Sequence, residues 1–272
     1  WIERAIKSVA TQTIPPDEFI VINDGSKPGE REALVELARK YPFTIMDKEN
    51  GGQGSARNAG VTATTADYIS FLDQDDFYLP NHIEDLVNAV PKKDDRFGFV
   101  YADLCIADGD GNVLHSNFVK DRGPHPKHSI VDLLSRDMYV LPSATIISRR
   151  AFEAVNGFDD QFTGYEDDDL FMRIFLANYS NYWLDKPVTT WCIHEDSTSY
   201  SIRMSRSRFK YFTKLSQKFP DNPERGLFFF RDCIAPRFGL AFLADAATAI
   251  EKKSTDKEEL VQFLQKYLQT LK

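Results

Sequence analysis

Three acidic clusters and one glycine loop carry the residue types that could do chemistry. Asp24-Gly25-Ser26 closes a short apolar run. Asp73-Gln74-Asp75-Asp76 packs three carboxylates into four residues. Such charges repel one another, and a divalent cation with a preference for oxygen ligands, Mg²⁺ or Mn²⁺, would relieve that repulsion. The plainer alternative is a polar turn in which Asp76 helps to cap the next helix. An EF-hand is excluded, because Phe77 and Tyr78 stand where a ligand and a glycine belong. Gly164-Tyr165-Glu166-Asp167-Asp168-Asp169-Leu170 suits a helix N-terminus, where acids are favoured by the dipole. That accounts for one or two of the acids better than for four, and an acid beside an apolar wall could serve as a general base. A calcium loop starting at Asp159 fails at Leu170, where a bidentate Glu is required.

The segment Asn50-Gly51-Gly52-Gln53-Gly54-Ser55-Ala56-Arg57-Asn58-Ala59-Gly60 lacks the Gly-Lys-Ser/Thr of a P-loop. It also lacks the third glycine of a dinucleotide fingerprint, since Arg57 takes that place. A glycine loop entering a helix can still approach a nucleotide, with Arg57 as the charged contact. A tight turn with a solvated Arg explains it equally well. His194 follows an apolar, β-branched run, and a lone histidine is more often a satisfied polar residue than a ligand. No nucleophile elbow, HExxH pair or kinase-type set is found.

The elements that must position these groups alternate. Helical spacing covers Trp1 to Gln12 and Pro28 to Lys40, and a helix starts near Ala56, with Ser55 as a cap. Apolar runs predict strands at Phe19–Asn23, Phe43–Met46, Tyr68–Leu72 and Phe97–Tyr101. Pro80 opens a further helix. Residues 106–128, rich in Gly and Pro, predict an irregular hairpin or loop. Ala144–Ser148 and 181–193 read as strands, 167–178 as a helix, and the chain from Ser205 onward as helical. Strand–helix alternation argues for an open α/β sheet, in which ligands bind beyond the carboxyl ends of the strands. The acidic turns sit at that edge.

Composition bounds the possibilities. The 272 residues are 42% hydrophobic and 27% charged, an ordinary globular balance. A net charge of −8 disfavours general nucleic-acid binding. The charge is uneven: residues 1–199 carry −14 and residues 200–272 carry +6. Cys105, Cys192 and Cys233 are far apart and odd in number, which predicts neither a disulfide scaffold nor a zinc ribbon and favours a reducing compartment. The most apolar stretch, 226–250, is interrupted by Arg231, Asp232, Arg237 and Asp245, so no membrane span is expected.

Taken in order, these pieces resemble the family 2 glycosyltransferases with their GT-A nucleotide-sugar-binding fold. The matching residues are Ser8…Gln12-Thr13, Val21-Ile22-Asn23-Asp24-Gly25-Ser26 and Asn50-Gly51-Gly52…Ala56-Arg57-Asn58-Ala59-Gly60. They continue with Tyr68–Asp76, Gly157-Phe158-Asp159, Glu166–Leu170…Arg173 and His194…Ser197. The resemblance covers about residues 1–200. It implies a GT-A-like open mixed sheet flanked by helices, with residues 201–272 as a helical C-terminal extension. The family opens with an apolar strand before its first helix. This sequence begins at that helix, at Trp1 rather than Met, so the expectation is a natural start further upstream or a strand supplied by another segment.

The resemblance implies an inverting, metal-dependent transfer from a nucleotide sugar, commonly UDP-linked, to a hydroxyl of a glycan or lipid-linked acceptor. Asp24 and Arg57 would contact the nucleotide, and Gln74 the nucleotide sugar. Asp73 and Asp75 would form the DxD motif, with Asp75 on Mn²⁺ or Mg²⁺ and Asp73 toward the ribose or sugar and near the metal. His194 would touch the metal or the diphosphate. Asp167 would be the catalytic base and Glu166 would orient the acceptor or the sugar. The rival readings are a nucleotidyltransferase that makes sugar nucleotides and a non-catalytic nucleotide-sugar-binding module. Beyond the resemblance, Arg203, Arg206, Lys210, Lys214 and Lys218 step at helical intervals, opposite Phe209, Phe212, Leu215 and Phe219. This stripe is either a solvated helix face or a contact for an anionic surface, such as the inner membrane leaflet, on a cytoplasmic protein.

Overall fold

The computed structural model describes residues 1–194 and 201–272, so Ser197 of the last motif and the boundary at residue 200 lie outside the described residues. The described chain divides into two compact units. One comprises Trp1–Lys127, Tyr139–Gln161 and the stretch from Glu166 through His194. The other comprises His128–Met138, Phe162–Tyr165 and the stretch from Ser201 to Lys272.

The first unit is an open mixed α/β arrangement. Helix α1 (Ile2–Ala10) leads to β1 (Ile20–Asp24), α2 (Pro28–Lys40), β2 (Thr44–Lys48) and α3 (Gly52–Thr62). Then come β3 (Tyr68–Ile69), β4 (Phe77–Tyr78), α4 (His82–Ala89), β5 (Phe97–Asp108) and β6 (Val113–His115). Two sheets form where the sequence suggested one. Strands β1 and β2 pair in parallel as a separate two-stranded sheet. The second sheet runs β3-β7-β5-β8-β4, with β6 beside β5, where β7 is Thr145–Ser148 and β8 is Ser180–Ile193. Strands β5 and β8 are its long parallel centre, and β3, β4 and β7 join antiparallel. Helices α6 (Arg149–Ala154) and α7 (Glu166–Leu176) complete the unit. Phe99, Val100, Tyr101, Leu104 and Ile147 of β5 and β7 are fully buried, and this continuous apolar run is what a strand covered on both faces requires.

Several elements differ from the sequence expectation, each for a physical reason. The predicted strand Tyr68–Leu72 pairs only over Tyr68–Ile69, opposite Ser148 and Ile147; beyond them Ser70 meets β7 through its side chain, its hydroxyl donating to Thr145 O. Strand β5 continues past Tyr101 to Asp108, because β8 provides a partner along its whole length. In the irregular stretch 106–128, β6 folds back on β5, and the loop beyond is pinned to the core. The buried Asp103 carboxylate accepts the Val119 N–H at 2.7 Å, and Tyr101 Oη lies 2.8 Å from His125 Nδ1.

Several motif residues hold the frame. Ser8 Oγ accepts the Tyr78 N–H at 3.0 Å. The Gln12 amide donates to Leu79 O at 2.8 Å and accepts from the Ile83 N–H at 3.1 Å. These contacts fasten α1 to β4 and α4. The Asn58 side chain donates to Phe158 O and accepts the Phe158 N–H, both at 2.9 Å. Gly157 beside it has φ +64°, and a Cβ there would lie 2.5 Å from Asn58 Oδ1, so only glycine fits.

The second unit is helical: α5 (Ile130–Ser135), α8 (Ile202–Lys218), α9 (Ala235–Glu251) and α10 (Lys257–Thr270). Phe212, Phe238, Phe242 and Tyr267 form a ring-packed core, with Phe209 stacked on Phe263 at 4.6 Å. A wide π-type turn at Phe230–Ile234 runs straight into α9. The result, Phe230–Glu251, is one helix of 22 residues with mean hydropathy 1.4 in its most apolar window, long and apolar enough to cross a membrane. Of the charges expected to interrupt it, Arg231 and Asp232 fall in its first turn, and only Arg237 and Asp245 lie further along. Arg237 pairs with Asp137 at 2.9 Å, and Asp245 accepts from Ser205 at 2.8 Å and pairs with Arg208.

Candidate active site

The acidic turn 73–76 spans the gap between β3 and β4. Because β4 pairs with the end of β8 (Phe77 opposite Thr190), the turn faces the residue that follows β8, His194. Asp75 Oδ2 lies 2.9 Å from His194 Nε2. The indole of Trp1 stacks on the His194 ring at 4.1 Å. Arg4 of α1 donates to Asp75 O at 2.9 Å, to Gly109 O at 3.2 Å and to Cys192 Sγ at 3.1 Å. The sequence gives no sign of a role for Trp1 and Arg4, since Arg4 lies on an ordinary amphipathic helix and Trp1 directly precedes it, with nothing nearby in sequence to mark either.

The carboxylates of the turn have different surroundings. Asp76 is buried and accepts the Cys192 N–H at 2.9 Å. Burial first, then the charges of Asp73 and Asp75, push its pKa well above the usual carboxylate range, despite that hydrogen bond. Asp73 is partly open to solvent and accepts from Arg57 Nη2 at 2.6 Å. The other terminal nitrogen of Arg57 donates to Glu166 Oε1 at 2.9 Å. Arg57 is only 9% exposed. Burial would lower its pKa, but the charges of Asp73 and Glu166 outweigh that and raise it. The ring of Phe158 lies under the guanidinium at 5.3 Å. Thus the glycine-loop helix, the acidic turn and the acidic helix start meet through one side chain.

At the start of α7, Asp167 Oδ1 accepts the Asp168 N–H at 2.8 Å. Burial, followed by the neighbouring Glu166 and Asp168 charges, pushes the Asp167 pKa well above the ordinary range. Asp169 pairs with Arg173 one turn on at 2.7 Å, and Arg173 reaches Val155 O, so this acid serves packing. Asp24 stands elsewhere in the unit's hydrogen-bond pattern. It accepts from Lys48 at 2.6 Å, its opposite number on β2, and from the Gly51 and Gly52 N–H groups at 3.0 and 2.8 Å. Burial raises its pKa, but these donors prevail and lower it. Asp24 therefore closes the glycine loop. Gln74 is exposed at the tip of the turn.

The donor set bears on the metal. Among the described residues, no three His, Cys, Asp or Glu side chains converge as a cation site. Asp75 and His194 are a carboxylate and an imidazole at hydrogen-bond distance. A mixed oxygen and nitrogen pair fits Mn²⁺ better than Mg²⁺, which takes oxygen ligands, and two side chains would leave most of either ion's coordination to other oxygens.

Comparison with known proteins gives the lineage. Residues 141–195 match the model described as the N-terminal domain of galactosyltransferase. An uncharacterized glycosyltransferase of Rickettsia conorii is 31% identical over 177 residues, 64% of this chain. That alignment takes in 29% of the relative, so the chain spans less than a third of its length. Among solved structures, S. aureus TarS 1-349 in complex with UDP-GlcNAc superposes with a TM-score of 0.68 at 15% identity, covering 99% of this chain and 77% of that one. The mannosyltransferase PcManGT of Pyrobaculum calidifontis, in complex with GDP-Man and Mn²⁺, gives 0.64 at 17% identity, covering 96% and 74%. At such identities the likeness establishes a shared GT-A fold. The model described as glycosyl transferase family 2 matches residues 1–155, more than half of the sequence, and to that family this chain belongs.

Proposed function

We propose that this chain transfers a sugar from a nucleotide sugar, UDP-linked, to a hydroxyl of a glycan or lipid-linked acceptor, with inversion at the anomeric carbon. The observation that carries the reading is the convergence of the turn 73–76 with Glu166 through Arg57. It sets the donor-side carboxylates beside the acidic start of α7. The UDP-GlcNAc bound to TarS and the GDP-Man bound to PcManGT support a nucleotide-sugar donor.

In this mechanism the acceptor oxygen attacks the anomeric carbon and a new C–O bond forms. The bond from that carbon to the diphosphate breaks, and its electron pair leaves with the diphosphate. Asp167 takes the hydroxyl proton. Its raised pKa makes it a stronger base than a free Asp. Glu166, fixed by Arg57, orients the acceptor or the sugar. Asp75 and His194 would hold Mn²⁺ or Mg²⁺, which when bound offsets the charge that develops on the leaving diphosphate. Asp73 and Gln74 face the ribose or sugar, and Asp24 shapes the nucleotide side by holding the glycine loop.

On α8, Arg203, Arg206, Lys210 and Lys218 are exposed, while Lys214 is half-buried over the Phe162 ring at 5.2 Å. Arg206 is paired with Glu259 at 2.7 Å. Arg203, Lys210 and Lys218 supply peripheral contact with an anionic membrane on the cytoplasmic side.

The test is incubation with UDP-GlcNAc, other UDP-sugars and GDP-Man, with and without Mn²⁺, scoring release of the nucleoside diphosphate. Metal-stimulated release supports transfer. Pyrophosphate release from a nucleoside triphosphate and a sugar phosphate would establish the nucleotidyltransferase instead. Donor binding without turnover would establish a binding module.

A further inference from the structure

Arg57 has no assigned role in the chemistry beyond a nucleotide contact implied by its motif, yet its geometry points elsewhere. Its two terminal nitrogens are engaged by carboxylates that lie 16 and 109 residues away in sequence. Its body is buried, and Phe158 forms a floor beneath the guanidinium. Phe158 is in turn clamped by Asn58, the next residue after Arg57. The guanidinium is a planar fork with several donors, so it can hold two carboxylates in fixed relative orientation, which a lysine ammonium does less well. A side chain built in this way cannot swing out to a ligand without leaving two carboxylates uncompensated, one of them buried.

We propose that Arg57 is a positioning residue that locks the donor-side turn at Asp73 in register with Glu166 and hence with the neighbouring Asp167. The inference rests on the glycosyl-transfer reading for the identity of the reaction, but the lock itself stands on the two ion pairs. Its consequence is that Arg57 governs turnover of bound donor rather than donor affinity. It also tunes Asp167, because the Arg57 charge opposes the effect of Glu166 on that acid. Removing Arg57 strengthens the proton affinity of Asp167, whereas neutralising Glu166 weakens it.

The experiment compares the parent with Arg57→Met, Arg57→Lys, Glu166→Gln and the double variant Arg57→Met/Glu166→Gln. UDP binding with Mn²⁺ is measured by calorimetry, and UDP-GlcNAc turnover is measured across pH. Circular dichroism and melting temperature verify folding. The double variant removes one carboxylate together with the cation and so protects against misfolding of Arg57→Met. The expected result for Arg57→Met is a fall in kcat of roughly 100-fold with the UDP Kd within about threefold, and partial recovery in Arg57→Lys. The acid limb of its pH profile moves to higher pH, and that of Glu166→Gln to lower pH. The effects of the two single changes do not add in the double variant.

A UDP Kd weakened tenfold or more with kcat unchanged would overturn the proposal in favour of direct nucleotide contact. Additive effects or unmoved acid limbs would also overturn it. If the parent itself turns over no donor, the glycosyl-transfer reading fails separately. The lock is then judged by ¹³C-detected titration of the Asp167 carboxyl, whose midpoint must move in opposite directions in Arg57→Met and Glu166→Gln; an unmoved midpoint overturns it.

Discussion

Asp75 Oδ2 and His194 Nε2 lie 2.9 Å apart although 119 residues separate them in the chain. The contact exists because β4, immediately after the acidic turn, pairs antiparallel with Thr189 and Thr190 near the end of β8, so that the turn and the last residues of β8 before the histidine run side by side. Two strand ends of a few residues each thereby bring an oxygen and a nitrogen donor to one point.

If that pair holds the cation, Asp75→Asn and His194→Ala each weaken Mn²⁺-dependent UDP binding by about 10–100-fold, while melting temperature without metal changes little. Calorimetric titration of UDP with and without Mn²⁺ measures this. Unchanged Mn²⁺ dependence in Asp75→Ala removes Asp75 from the metal site.

Asp167→Asn lowers turnover by roughly 10²–10⁴-fold with donor affinity nearly unchanged, because the amide keeps the shape but accepts no proton. The pH dependence has a definite sign. A base at Asp167 would work only when deprotonated, and the Asp167 pKa is raised by burial and by Glu166 and Asp168. Activity is therefore lost on acidification at a pH above the ~3.9 of a free Asp. A parent profile flat down to pH 4, or a dead Glu166→Gln beside an active Asp167→Asn, identifies a different acid.

Gly157→Ala destabilises the protein by roughly 1–3 kcal/mol through positive φ and the collision with Asn58. Urea unfolding provides the measurement. Since Asn58 carries Phe158 and Phe158 underlies Arg57, turnover falls as well.

Asp24→Ala costs about 1–3 kcal/mol, as the Gly51 and Gly52 N–H groups and Lys48 lose their acceptor. Asp24 is depressed in the folded state, so its contribution is present above the unfolded pKa and lost as pH falls through the lower folded one. The stability gap between parent and variant, followed by denaturant unfolding, therefore closes on acidification below about pH 4.

For α8, co-sedimentation with anionic vesicles at low salt is expected for the parent. It should drop in the triple variant Arg203→Gln/Lys210→Gln/Lys218→Gln, at about 1 kcal/mol for each exposed cation. Salt should abolish it, as exposed charges are screened within ~8 Å at physiological ionic strength. Equal sedimentation of both proteins assigns the helix a structural role only.

Local sequence determined much of this protein. The alternation of apolar runs and amphipathic helices is set by side-chain periodicity, a property of neighbours along the chain, and so β1, β2, α2 and the amphipathic face of α8 were legible. So was the set of candidate residues, because Asp73–Asp76 and Glu166–Asp169 are contiguous. Tertiary structure decided what those residues touch. Arg57 read as a nucleotide contact, but only the folded chain brings Asp73 and Glu166 to its two nitrogens. Asp24 read as a nucleotide contact, and only the pairing of β1 with β2 puts Lys48 opposite it. The charges in 226–250 read as interruptions, yet the helix runs through Arg237 and Asp245, whose partners Asp137 and Arg208 come from elsewhere in the chain. Strand ends followed partners rather than propensity, as the extension of β5 along β8 shows. Ion pairs and strand pairing join residues distant in sequence, and their energies depend on a separation in space that no local pattern encodes.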